Sequence, residues 1–506
     1  MGAAMDVPLL ERYRDRIAGV LTCYDRIVIT GTLPGACHHA GMTSFLNAHN
    51  IRIFDYPRFA ERLRERIRSR AEKLAADAGA QIEFIRKAHI RKEDVVAQVI
   101  KTRGDHPGLV HVISAMESCS SYQPGHDKRT HQTALKPASG KCLHYYFYFI
   151  DPKLGLVYLR VPTWCPFRLQ FYCNGHSWLA RQLTATGIDY AMADNAFIRI
   201  DDWERAQQLA DSLSPDVLHR TLDHYAKQCC PVLDVFGQSY HWSLMQIECS
   251  TDLAFRSEAI MKPLYDTISR EAIVSVKAEQ VMNFLGKKMT SQLAQEVDSR
   301  LSTRVEGTCI KHRLGKNSVK MYDKFGRVLR IETTTNDVSF FKHHRKVEHR
   351  DGHATRELAG VKKSIYSLID LREILLGCNR RYLEFLSALD DFSAGNRSLG
   401  KLTTPKEVDG HRIKGFNFFD KTEHSLLCSL QRPEFNISGV RRADLKPFLP
   451  HLSVASITRY LKRLRDFGLI KKVVGTYRYY LTRLGRSAIA AACRLSEQII
   501  IPALSV

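Results

Sequence analysis

The sequence predicts a multidomain α/β and α+β protein, with mixed sheets in its N-terminal and central regions and a small, basic, mostly helical module at its C-terminus. Three observations carry this prediction. β-Branched and aromatic runs recur between residues 25 and 334, helical spacing appears between them, and positive charge gathers near the end. With 506 residues, 44% of them hydrophobic, the chain is long enough for about three domains of roughly 100–200 residues, which excludes disorder as its main state. The expected divisions are an N-terminal α/β region over 1–235, a central α+β core over 236–395, a linker over 396–415 and the C-terminal module over 416–506.

Residues 25–30 read as a strand. Residues 57–78 form a helix whose Phe59, Leu63, Ile67 and Leu74 make one apolar stripe, with a solvated arginine face opposite. A helix over 92–101 and a strand over 109–115 follow, then a long polar loop over 118–141. Strands over 143–150 and 156–161 flank a turn, 167–172 continues the sheet, and 175–187 is helical. Tyr145, Tyr146, Tyr148, Phe171 and Tyr172 either pack in the core or stack on unpaired bases. Thirteen cysteines without a C-x-x-C pair read as reduced thiols, and the loose group of Cys165, Cys173 and His176 lacks a fourth metal ligand. No nucleotide-binding or hydrolase motif occurs, so no nucleotide cofactor is expected. No run approaches the roughly 18 to 20 apolar residues of a membrane span, so a soluble cytoplasmic protein without membrane partners is expected.

The central strands, over 242–255, 318–324 and 327–334, carry acids at marked positions: Glu248 and Asp252, then Asp323, then Glu332. An acid in a β-branched strand is costly to bury unless a cation or metal meets it. These acids therefore either bind Mg2+ or Mn2+ or pair with Arg256, Lys320, Lys324 or Arg330. Asn317-Ser-Val-Lys-Met-Tyr-Asp-Lys, Val328-Leu-Arg-Ile-Glu and Ser250-Thr-Asp-Leu-Ala-Phe together resemble the core of rolling-circle replication initiators and conjugative relaxases of plasmids and mobile elements. The resemblance implies a divalent metal on Asp252 and Glu332, with Lys324 beside it, in a strand-nicking site; Glu248, on the same face as Asp252 in a regular strand, and Tyr322 complete the candidate catalytic set. That family's nucleophilic tyrosine has no counterpart here, because Phe340 and Phe341 stand at its place. The remaining choices are Tyr322, Tyr366, a metal-activated water, or no catalysis. His343, His344, His349 and His353 are candidate bases or phosphate contacts, and 362–390 reads as helix.

The net charge is +22, and between Arg441 and Arg486 twelve Lys and Arg stand against two acids, Asp444 and Asp466. Such a balance points to phosphate partners. Helices are expected at 422–431, from a Ser438 cap through Leu445 to Phe448, and from a Ser453 cap onward. In the last, Ile457, Tyr460, Leu461, Leu464 and Phe467 recur at helical spacing while Arg459, Lys462, Arg463 and Arg465 take the other face. Strands over 469–474 and 477–481 and a final helix follow. This is the order of a winged helix-turn-helix, and Ser453 to Lys472 with Tyr477 to Arg486 resembles the recognition helix and wing of MarR-like transcriptional regulators. The resemblance implies that Ser456, Arg459 and Arg463 face bases or phosphates, with Lys471, Lys472 and Arg478 on the wing. The combined expectation is a DNA-binding protein of a mobile-element or plasmid-type system with a metal-dependent or degenerate nicking core. The alternatives are a non-enzymatic regulator and a binder of structured RNA or single strands.

Overall fold

The computed structural model describes residues 7–494 other than 87–88, 129–130, 289, 305–306, 391–398, 409, 433 and 436–438. Two compact units divide the chain at Asp390 and Asp391. The larger is built on a mixed eleven-stranded sheet. In chain order its strands are β1 (Ile17–Thr32), β2 (Ile82–Phe84), β3 (Gly108–Asp127), β4 (Gln132–Asp151), β5 (Gly155–Pro162), β6 (Leu169–Cys173), β9 (His241–Phe255), β10 (Val297–Arg304), β11 (Gly307–Leu314), β12 (Asn317–Lys324) and β13 (Val328–Thr335). Between them, β7 (Tyr190–Ala193) and β8 (Ala196–Ile200) form a separate hairpin. The spatial order is β10-β11-β12-β13-β9-β1-β6-β5-β4-β3-β2, antiparallel throughout except for β2 beside β3.

Residue 235 is not a boundary. β9 pairs with β1 along one edge and with β13 along the other, so the predicted N-terminal and central regions share one sheet. Of the residues predicted as a loop, 118–127 and 132–141 are the outer part of a β3–β4 ribbon paired from Gly108↔Ile150 to Asp127↔Gln132. Backbone pairing extends the hairpin well past its apolar root, which is why composition alone concealed it. Tyr145, Tyr146, Tyr148 and Phe171 are buried, so core packing replaces the stacking platform for these four, whereas Tyr172 is half-buried.

β-Strand alternation sorts the sheet into two faces. On one, Leu329, Ile331, Val319 and Met321 enter a core shared with Tyr382, Leu383 and Leu386 of the helix Leu368–Asp390. Asn379 of that helix is fully buried; its Nδ2 donates to Cys249 O at 3.0 Å and its Oδ1 accepts from Thr333 Oγ1 at 2.7 Å. The helix Tyr56–Asp77 buries Phe59, Leu63 and Ile67, while its arginines are solvated and ion-paired in part, as Arg68 with Glu72. The four candidate histidines fall on or beside the two-stranded sheet of β14 (Lys342–Glu348) and β15 (Ala354–Gly360), where His349 meets Thr355 and His343 lies near Asp370.

The C-terminal unit contains the helices Lys421–Leu430, Arg442–Leu445, Val454–Asp466 and Arg483–Arg494. The predicted linker holds a hairpin, β16 (Lys406–Val408) with β17 (His411–Ile413). The ribbon β18 (Ile470–Lys472) with β19 (Tyr479–Leu481) is shorter than predicted, and Val440 adds a bridge to Tyr479. Ser453 caps Val454–Asp466 by accepting from Ser456 N, whereas the predicted Ser438 cap lies outside the described residues. Leu426, Leu430, Ile457, Leu461, Leu464 and Ile489 make a core of its own. Among the described residues no helix is long and apolar enough to cross a membrane.

Replacing Asn379 by Leu removes the hydrogen bonds it makes to the buried Cys249 carbonyl and the Thr333 hydroxyl. Urea denaturation should show a loss of about 1–3 kcal/mol.

Candidate functional site

The second face of the sheet is polar and yet buried. Register sets Asp252 opposite Arg330, Ser250 opposite Glu332, and Glu332 and Arg330 opposite Lys320 and Tyr322 of β12. Every residue of β13 is buried, so the alternation of Arg330, Glu332 and Thr334 with Leu329, Ile331 and Thr333 separates two interiors rather than core from solvent. On β1 a bulge between Tyr24 and Arg26 inserts Asp25 and brings both Asp25 and Arg26 to this face, a usual way for a strand to re-aim side chains. Across it sits the helix Gly175–Thr186, whose cap Asn174 accepts from His176 N and Ser177 N. A Cβ at Gly175 would lie 2.3 Å from the Tyr24 carbonyl oxygen, so only glycine lets His176 come down onto the bulge. The turn between β7 and β8 inserts Asn195.

Arg330 is fully buried at the centre. Its Nε and Nη2 donate to the two oxygens of Asp252 at 2.7 and 2.6 Å, and Nη2 also reaches Asn195 O at 2.8 Å and His176 Nε2 at 3.0 Å. Nη1 lies 3.5 Å from Asp25 Oδ1. His176 Nδ1 lies 3.2 Å from Asp25 and its Nε2 3.5 Å from Asp252; burial and the Arg330 charge oppose protonation of the ring, but the two carboxylates prevail and raise its pKa above the ordinary imidazole value. Burial works against ionised Asp25, but Arg330 and His176 outweigh it and hold the carboxyl well below its ordinary value. Burial likewise opposes ionised Asp252, and Arg330 again prevails.

The second group is Glu332, Lys320 and Glu248. Lys320 Nζ donates to Glu332 and lies 3.6 Å from Glu248. Burial, reinforced by the charges of Glu248 and Asp25, pushes the Glu332 carboxyl up to about 8 against the pull of Lys320. The nearest oxygens of Asp25, Glu248 and Glu332 all lie within 4.8 Å of one another. Three hard oxygen donors at this spacing fit Mg2+ or Mn2+. Asp252, predicted as the partner of Glu332, has both oxygens engaged by Arg330, and Asp25 takes its place in the acid group.

These residues line a cavity of about 660 Å3 whose floor holds the acids and whose rim carries Arg26, Arg91, Arg300, Lys311, Arg313 and Lys324. Tyr322 lines it too, and burial raises its hydroxyl well above the ordinary value. Lys324 Nζ donates to Asn195 Oδ1 at 3.2 Å. Thus Glu248, Glu332, Tyr322 and Lys324 meet as predicted. Tyr366 lies elsewhere, bonded to His219, and none of His343, His344, His349 or His353 is among the lining residues. Asp25, His176 and Asn195 escaped the sequence reading as site residues, although Asp25-Arg26 inside an apolar β-branched run was a signal. Cys165 and Cys173 are buried in the hydrophobic core, whereas His176 lies against Asp25 and Arg330.

In the C-terminal unit, Arg459, Lys462, Arg465, Lys471 and Lys472 are exposed, and Ser456 and Arg478 are half-buried. Arg463 corrects the expectation that it faces bases: it turns inward, donating to Glu423 Oε1 at 2.8 Å and Lys414 O at 2.8 Å over the Phe416 ring. Glu423 is a buried acid that needs this cation.

Arg330→Met should cost roughly 3–5 kcal/mol by stranding Asp252 and Asp25, and adding Asp252→Leu should recover part of that loss in the same denaturation assay. Glu332 gives a pH signature. A carboxyl whose folded value is raised stabilises fully below its unfolded value near 4.5, and that contribution is lost as pH rises through about 8. The melting temperature of the unmodified chain should therefore fall relative to Glu332→Gln between pH ~5 and ~9.

No protein-family model matches the chain, and no curated protein matches it. Among solved structures, the class II 3-hydroxy-3-methylglutaryl-CoA reductase from Streptococcus pneumoniae is similar at 10% identity over 88% of this chain and 78% of that one, with a TM-score of 0.19, too low to carry an argument.

Proposed function

We propose that this protein binds nucleic acid, DNA foremost, and cleaves a strand in the large-sheet cavity with Mg2+ or Mn2+, as a protein of a mobile-element or plasmid-type system would. The observation that carries this reading is the cavity's charge layout: three carboxyls at the floor and cations at the rim. Arg300, Lys311 and Lys320 stand directly opposite one another on β10, β11 and β12, where Asp298 meets Arg300 and Glu332 and Glu248 meet Lys320. The positive charge left at the rim suits the phosphates of a strand. A divalent cation held by Asp25, Glu248 and Glu332 would supply the Lewis acid that neutralises charge on the scissile phosphate. Glu332 would hold such a cation as the carboxylate, and the rim cations would hold the flanking phosphates. Tyr322 is a poor nucleophile while burial keeps its proton on, and Phe341 is buried in the core, so attack by water is favoured over a tyrosine ester. In the C-terminal unit, the order of helices and ribbon supports the winged-helix reading, with Arg459 and Lys462 on the exposed face of the helix Val454–Asp466.

The test is incubation of the full chain with labelled single-stranded, hairpin and duplex DNA, and RNA, with Mn2+. Cleavage should disappear in Glu248→Gln and Glu332→Gln without any covalent protein–DNA adduct, and an adduct at Tyr322 would replace the hydrolytic version. Failure both to bind Mn2+ and to cut any of these would reduce the cavity to a binding surface. Duplex binding should weaken steeply with salt. Arg459→Ala and Lys462→Ala should each weaken it, by ~1–3 kcal/mol where they reach bases, whereas Arg463→Ala should instead lower the melting temperature.

A further inference from the structure

The geometry points to Cys428 and Cys493 as a reversible oxidation site, a thiol pair that closes to a disulfide between two helices of the C-terminal unit. Cys428 lies on Lys421–Leu430 and Cys493 on Arg483–Arg494, and their Sγ atoms are 2.7 Å apart although the residues are 65 positions apart in sequence. One helical turn before Cys428, His424 places Nε2 at 3.7 Å and Nδ1 at 3.8 Å from its sulfur. Cys428 and His424 are half-buried while Cys493 is 5% exposed, so an oxidant reaches Cys428 first and Cys493 is the resolving thiol. His424, Cys428 and Cys493 together are also a donor set that zinc accepts. A tetrahedral ion about 2.3 Å from each sulfur, however, would hold the sulfurs roughly 3.8 Å apart. The observed separation is nearer to the ~2.05 Å of a covalent bond.

With hydrogen peroxide as oxidant, His424 takes the Cys428 proton, the thiolate attacks a peroxide oxygen, and the O–O bond breaks to give a sulfenic acid and water. Cys493 then attacks the Cys428 sulfur, the S–O bond breaks, and the hydroxide leaves as water with the Cys493 proton. Two thiols and one peroxide become one disulfide and two waters. A dithiol reductant returns the two electrons and protons. The test uses the full chain, exposed to one equivalent of peroxide, alkylated and digested without reduction. The expected result is one cross-linked pair of peptides containing Cys428 and Cys493, reversed by dithiothreitol. Cys493→Ser should leave a dimedone-reactive sulfenic acid at Cys428, and His424→Ala should slow its formation several-fold and change the pH profile of the rate. Full alkylation of both cysteines after peroxide overturns the proposal, as does stoichiometric zinc that shields both thiols and is lost in Cys428→Ser.

Discussion

A guanidinium with no exposure, in the middle of a central strand, governs the larger unit. Arg330 cannot shed its charge, so each N–H that leaves water must find an acceptor in the protein. Asp252 meets it in strand register, Asp25 from a bulge, His176 from the first turn of a helix and Asn195 from a hairpin tip. Four elements are thereby fixed to within hydrogen-bond tolerance. The neighbouring group of Glu332, Lys320 and Glu248 sits in the same layer, and the excess of carboxyls over cations in the two groups is eased by the proton that burial keeps on Glu332.

This layer exists only when distant parts of the chain have paired. Arg330 and Asp25 are 305 residues apart, and the β1–β9 ladder that joins them closes a long loop. The hairpins β10–β11, β11–β12 and β12–β13 are local by contrast, so joining Lys320 to Glu332 costs little loop-closure entropy and joining Asp25 to Arg330 costs more. The buried charges are thus tolerable only in the finished sheet, which ties the integrity of the cavity to global folding.

Legibility followed the same division. Helices Tyr56–Asp77 and Gly175–Thr186 and strands β5, β9, β12 and β13 could be read because a single periodicity ran through each. The acids of β9 and β13 could be singled out because a carboxylate amid β-branched residues has to be compensated, and two of the named cations, Lys320 and Arg330, are the compensation. Which acid meets which cation was not readable, since pairing depends on register between strands far apart in sequence. The same limit concealed the single sheet across residue 235. Asp25 was obscured by its bulge, where one extra residue overrides alternation, and the β3–β4 ribbon by its polar composition, since a hairpin extended through backbone bonds needs no apolar face.

The C-terminal unit shows why a count of positive charges overstates a phosphate-binding surface. Arg463 neutralises buried Glu423 and ties down the backbone of Lys414 and Gly415, Lys446 Nζ donates to the carbonyls of Pro450 and Leu452, and Arg465 leans on Asp466. Arg463 and Lys446 thus serve the fold of the unit. Helical phase separates them from their neighbours: Arg459 and Lys462 fall three residues apart on the exposed side of Val454–Asp466, while Arg463, one residue further round, falls on the flank facing Glu423. A cation already paired within the protein releases no counterions from a nucleic acid, so the electrostatic reach of the unit is set by the exposed subset and not by its net charge.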